Sequence, residues 1–170
     1  MGNLIIIGLV LGMLFIPIHP TSSKPSMDPP PTFYTTSDLE LFSEGNLVQN
    51  LKEMNFKFAH IVYAQAILET GNFSSLTFLE GNNLFGMRRA KGRITTAVGD
   101  YGSYAQYKTW LDSLIDYGFY QSKYLSRINN EEEYYEKLQS NYASDPDYII
   151  KLQKIVKSQK LKLLFKKQTI

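Results

Sequence analysis

The chain has no cysteine in its 170 residues, which excludes disulfides and thiolate metal sites. Its two histidines, His19 and His60, stand far apart, so there is neither a histidine metal cluster nor a Ser-His-Asp triad to propose. Proline is nearly absent from the body of the chain, because six of the seven fall between Pro17 and Pro31. No acid follows Asp147, and no glutamate lies between Glu80 and Glu131. The sixteen acids therefore share the first 150 positions with eleven Lys and Arg, while seven lysines from Lys151 to Lys167 stand without acidic neighbours. Positive charge confined to one end, away from the aromatic residues, argues against nucleic-acid binding.

What is present reads as one domain behind a leader. From Asn3 to Ile18 runs an apolar stretch of sixteen residues, NLIIIGLVLGMLFIPI, shorter than the roughly twenty that a spanning helix needs. Residues 1–20 are read as a signal sequence or an uncleaved N-terminal anchor through which the protein could contact a membrane. The other reading is a buried strand or helix, since no Lys or Arg precedes the run. Residues 21–34, rich in Pro, Ser and Thr, have the composition of an unpacked linker. The folded domain is expected over 35–158, with 159–170 as a basic amphipathic tail. A leader of this kind places the domain outside the cytoplasm.

The domain is organised around Phe58 to Gly71, FAHIVYAQAILETG, apolar on every side as a buried helix is. Gln65 and Glu69 are four apart and share a face. Thr70-Gly71 is a helix stop, because glycine takes the left-handed conformation that closes a last turn. Glu69 then sits in that turn, where the helix dipole and partial burial raise a carboxyl pKa, as a proton donor at neutral pH requires. The competing reading is a glutamate that ends a helix and points into water.

Around this helix the local signals predict further elements. Ser37-Asp38 could cap a short helix through Phe42, Asn46 a second, Ser74 or Ser75 a third, and Asn130 the acidic helix EEEYYEKL. Thr109 to Ser126 has helical spacing. Asp145 reads as a cap with Pro146 at the first helical position. Val98-Gly99-Asp100, between runs rich in Ile, Thr and Tyr, reads as a hairpin turn. Ten of the twelve tyrosines fall between Tyr101 and Tyr148; a flat face with a polar tip suits sugar stacking, and equally suits core packing.

Three segments in order, Ala64-Gln65-Ala66-Ile67-Leu68-Glu69-Thr70-Gly71, Asn82-Asn83-Leu84-Phe85-Gly86-Met87-Arg88 and Tyr142-Ala143-Ser144-Asp145-Pro146, resemble glycoside hydrolase family 73. These are N-acetylglucosaminidases that include flagellar peptidoglycan hydrolases and bacterial autolysins. The resemblance covers Leu47 to Val156. It implies a mainly α, lysozyme-like α+β fold: a helical lobe around the central helix, a small β-hairpin lobe and a cleft for a glycan strand.

It also implies an exported enzyme that cleaves β-1,4 bonds after N-acetylglucosamine in peptidoglycan or a related glycan, with no metal or organic cofactor. Glu69 matches the family's general acid, and Tyr142 the tyrosine across the cleft, with Ser144 where the family has threonine. Asn83, Leu84, Phe85 and Gly86 match the segment that shapes the cleft floor. The residues expected to contact sugar are Gln65, Asn83, Phe85 and Tyr104. Where many members carry a second glutamate, this chain has Ile94-Thr95-Thr96-Ala97. Asp100 could activate water instead, the substrate's own N-acetyl group could assist, or the enzyme could be weakened. Two other functions stay open: a lytic transglycosylase of the same fold, and a non-catalytic glycan-binding module.

Overall fold

A computed structural model of the protein describes residues 41–141 and 144–166. The expected leader, the linker, most of the helix predicted from Ser37, and Tyr142 lie outside the described residues. Among those described there are seven helices and one two-stranded sheet. Helix α1, Glu44–Glu53, starts at Ser43, whose hydroxyl accepts the Asn46 N–H at 3.0 Å. Asn46, the expected cap, lies inside the helix and sends its side-chain amide to the Leu41 carbonyl at 3.2 Å.

Helix α2, Ala59–Glu69, is the central element, with every residue from Ile61 to Ile67 buried. Elements before and after it in sequence account for that burial: α1, then α6, Tyr148–Ser158, and α7, Leu161–Leu164. The tail expected over 159–170 is thus only partly a tail. Lys160 turns left-handed at φ +52° and ends α6. The chain then folds back, with Leu161 buried and the Phe165 ring 5.9 Å from that of Tyr63. Apolar residues among the lysines drive this return, since Leu161 and Phe165 bury more favourably than they extend into water.

Asp145 also acts differently from the expectation. Its carboxylate accepts the Asp147 N–H at 2.9 Å and pairs with Lys151 at 2.5 Å, while α6 begins only at Tyr148. Pro146 precedes the helix and does not open it. Ser75 caps α3, Leu76–Leu79, as expected, and α4, Trp110–Tyr124, opens on a reciprocal capping box between Thr109 and Asp112 that the helical spacing alone did not announce. Asn130 accepts the Glu133 N–H at 2.8 Å at the start of α5, Glu131–Asn141.

The hairpin forms a few residues later than its strongest sequence signal. Gly99 and Asp100 belong to strand β1, Gly99–Tyr101, which pairs with β2, Tyr104–Gln106, in antiparallel register Gly99↔Gln106. The turn is Gly102-Ser103, with Gly102 at φ +61°; glycine at the first of two turn residues matches the twist of the flanking strands. Two side-chain groups fasten this lobe to the helices. Asn83 donates to the Met87 and Ala105 carbonyls at 2.9 and 2.8 Å. Arg93 grips both oxygens of Asp116, in α4, at 2.6 and 3.0 Å, and Tyr107 donates to the same carboxylate at 2.8 Å.

Burial would raise the Asp116 carboxyl, but the hydrogen bonds from Arg93, Tyr107 and Thr95 and the Arg93 charge outweigh it and hold it below its ordinary value. Since the Asp116 side chain is 0% exposed, Arg93→Met strands a charge in the interior. A loss of about 3–5 kcal/mol is expected, read as a lower urea midpoint at neutral pH.

Candidate active site

Glu69 is the last residue of α2, and the way that helix ends fixes where its carboxyl goes. The Gly71 N–H bonds the Leu68 carbonyl at 3.3 Å and the Asn72 N–H bonds the Ile67 carbonyl at 2.8 Å, the paired closure that a left-handed residue makes at a helix end. Gly71 supplies that conformation at φ +55°. Thr70 is buried; its hydroxyl donates to the Ala66 carbonyl at 2.6 Å and accepts the Phe73 N–H at 2.8 Å. The turn is therefore over-determined, and Glu69 stands at a rigid edge.

The carboxyl itself is half-buried and has two unlike oxygens. Oε1 accepts a hydrogen bond from the Tyr148 hydroxyl at 2.8 Å. Oε2 faces Gly86, where an added Cβ would lie 3.1 Å from it and 4.0 Å from Cε1 of Tyr104. Burial raises the Glu69 carboxyl above its ordinary value, against the Tyr148 hydrogen bond, which favours the charged form. The result is an acid that keeps its proton to higher pH than a free glutamate, beside bare backbone and a ring that is 39% exposed. Such a group can donate a proton to a leaving oxygen.

The structure sorts the sequence-predicted residues by exposure. Glu69, Gly86 and Tyr104 converge on one place. Gln65, Asn83 and Phe85, expected to touch sugar, are 0%, 1% and 0% exposed. Gln65 spends its amide on Tyr148 and Tyr117. Asn83 spends its own on the backbone of the cleft-floor turn. Phe85 stacks on Tyr117 with centroids 4.3 Å apart. All three shape the site from behind. Asp100 is exposed on β1 and lies 3.8 Å from Arg89. Tyr142 is outside the described residues.

Tyr148, the residue that does contact Glu69, was missed from the sequence. Burial and the adjacent carboxylate raise its hydroxyl pKa, so it stays protonated and donates. One signal pointed there: a tyrosine at the start of an apolar helix stripe must bury its hydroxyl against a polar partner. Beside the hairpin lies a cavity of about 420 Å³ lined by Arg88, Arg89, Ala90, Lys91, Asp100 and Ser103. No group of three His, Asp or Glu able to hold a metal ion occurs among the described residues.

The sequence model of the glucosaminidase family, described as mannosyl-glycoprotein endo-beta-N-acetylglucosaminidase, matches residues 45–161. The chain belongs to the glucosaminidase family. The matched span of this glucosaminidase runs from α1 into α7, so it includes the refolded end of the chain and makes the protein a glycosidase.

Two solved structures resemble the glucosaminidase. The catalytic domain of the autolysin Auto from Listeria monocytogenes is similar at 20% identity and a TM-score of 0.50, over 69% of this chain and 81% of that one. An N-acetylmuramoyl-L-alanine amidase from Staphylococcus aureus is similar at 24% identity and a TM-score of 0.54, over 72% of this chain. The match spans only 42% of that longer chain. At these identities the likeness is one of fold. Among curated proteins, none matches the chain at a significant level.

Gly86 tests whether the geometry around Glu69 matters. A Cβ there is strained by φ +59° and presses on Oε2 at 3.1 Å. Gly86→Ala is expected to lower kcat about ten- to a hundred-fold while the protein stays folded, as checked by circular dichroism beside turnover on a soluble glycan.

Proposed function

We propose that this glucosaminidase is an exported peptidoglycan hydrolase that cleaves the β-1,4 bond after N-acetylglucosamine, with Glu69 as general acid. The observation that carries the reading is the Glu69 carboxyl: its pKa raised by burial, held at a rigid helix end, with Oε2 turned toward the bare backbone of Gly86 and the exposed ring of Tyr104. Glycosidic cleavage needs a proton on the leaving oxygen and support for an oxocarbenium-like centre. Glu69 supplies the first. The substrate's N-acetyl group supplies the second, because Asp100 is exposed beside Arg89 and the hairpin region lacks a glutamate. Tyr104 offers a stacking face for a sugar ring.

The substrate class is supported by the similar structures, an autolysin catalytic domain and an N-acetylmuramoyl-L-alanine amidase. The cavity with Arg88, Arg89 and Lys91 suits a glycan that carries peptide carboxylates. Residues 1–20 act as the export signal or anchor, and that end is where membrane contact occurs.

Purified peptidoglycan digested by the full chain, with Glu69→Gln in parallel and mass spectrometry of the products, tests the reading. Reducing N-acetylglucosamine ends are expected from the wild type, and a loss of about a hundred-fold or more in the variant. Anhydro ends would make the enzyme a lytic transglycosylase. No products from either protein, with glycan still bound, would leave a binding module.

The same variant carries a stability signature. A carboxyl whose folded pKa is raised weakens the fold as pH climbs from the unfolded value through the folded one. Glu69→Gln is therefore expected to melt at or above the wild-type temperature at pH 7, with the difference vanishing in acid.

A further inference from the structure

Four of the eleven Lys and Arg in the first 150 positions, against sixteen acids there, fall in six consecutive places, Arg88 to Arg93. Arg93 is turned inward onto Asp116. Arg88, Arg89 and Lys91 are exposed and line the cavity of about 420 Å³ beside the hairpin. Among the described residues, no hydrogen bond engages the side chains of these three. The one acid in the cavity wall, Asp100, lies 3.8 Å from Arg89, beyond hydrogen-bond distance. Both members of that pair are about half exposed, so it holds Arg89 weakly. A cluster of cations with free donors, in a domain whose body is acidic, suits an anion that arrives from outside.

The loop that carries them is fixed at both ends. Before it, the Met87 carbonyl accepts the Ala105 N–H at 2.8 Å and the Asn83 amide at 2.9 Å. After it, the Gly92 carbonyl accepts the Lys123 ammonium, and Arg93 grips Asp116. Loop backbone held in this way needs less ordering when an anion binds. The cavity also adjoins the acid. Arg88 is two residues beyond Gly86, which faces Glu69 Oε2, and two residues of chain span at most about 7 Å. Ser103, also in the cavity wall, immediately precedes Tyr104, the exposed ring that meets Gly86.

We infer that Arg88, Arg89 and Lys91 form a subsite for the free carboxylates of the peptides that the glycan carries, so that the enzyme prefers strands in which those carboxylates are unblocked. The inference rests on the peptidoglycan reading above and adds to it which strands are cut. Every β-1,4 bond of peptidoglycan has a peptide-bearing sugar at one of its two ends, so a bond at Glu69 brings a peptide close to this loop. A guanidinium takes both oxygens of a carboxylate side by side, and Arg89 leaves the exposed Asp100 readily. The three cations act on binding and not on proton transfer, which puts the preference in KM.

Soluble peptidoglycan strands, with peptide carboxyls either free or converted to methylamides, test it on the full chain. The free form is expected to be preferred about ten-fold in kcat/KM, through KM, and the preference to shrink as salt screens the charges. Arg88→Ala, Arg89→Ala and Lys91→Ala together are expected to bring the ratio to about one, whereas Arg89→Lys keeps most of it. Asp100→Asn, which frees Arg89, is expected to raise the ratio. Circular dichroism checks that each variant stays folded. Equal cutting of both strand types by the wild type, or a ratio that the triple variant leaves as it was, would overturn the proposal while peptidoglycan cleavage stands. Cutting of neither would overturn the peptidoglycan reading and this proposal with it. Inhibition by inorganic phosphate stronger than by the free peptide would mark a phosphate site in its place.

Discussion

The hydrogen bond between Tyr148 and Glu69 joins residues 79 positions apart, and most of the fold serves to make it possible. For the two side chains to meet, α6 must lie along the length of α2, and for that α2 must be apolar all round. The residues from Ile61 to Ile67 meet that demand on every face. Gln65, Tyr117, Tyr134 and Gln121 are withdrawn from water in this interior and hydrogen-bond one another in a line that reaches Tyr148. The acid sits where that line leaves the protein. Its raised pKa comes from burial, against the Tyr148 hydrogen bond that holds Oε1 in place.

The energetic balance at this point is a compromise between stability and chemistry. A carboxyl withdrawn from water disfavours its own charge and weakens the fold at neutral pH. The domain tolerates that because the helix end is locked by backbone bonds to Leu68 and Ile67 and because the hairpin lobe is pinned by Asn83 and by the Arg93–Asp116 pair. Strained backbone gathers nearby: Gly71, Asn72 and Phe73 are consecutive left-handed residues, and Gly86 is a fourth. Rigid neighbours of this kind keep an acid from swinging toward water, which would return its pKa to the ordinary range.

Much of this was legible in the chain because it is local. The apolar run, the Thr70-Gly71 stop and the caps at Ser75 and Asn130 are written within a few residues of where they act. What was not legible is long-range pairing. The four-residue spacing of Gln65 and Glu69 placed both toward the cleft, yet neighbours cover α2 on all sides, so a shared helical face is not a shared environment. Gln65 points inward to Tyr117 and Tyr148. Nothing near Arg93 announces Asp116, 23 positions on. The hairpin turn moved from Gly99-Asp100 to Gly102-Ser103 because two glycine signals competed, and Gly102, left-handed at φ +61°, takes the turn and leaves Asp100 paired with Ala105. The lysine-rich end hid two apolar anchors, Leu161 and Phe165, in a sequence whose charge suggested a free tail.

The attachment of the hairpin lobe has a consequence for how such a domain diversifies. The chain leaves the body after Met87 and re-enters at Ala105, and both crossings are clamped by one side chain, Asn83. Between them the backbone carries no residue of the buried row behind Glu69. Insertions, deletions or wholesale exchange of the segment between these crossings could thus alter what surrounds Tyr104 while leaving the Glu69 carboxyl and its helix end as they are, provided the asparagine clamp and a counterpart to the Arg93–Asp116 pair survive. In engineering terms, the lobe is a replaceable cartridge with one keyed socket.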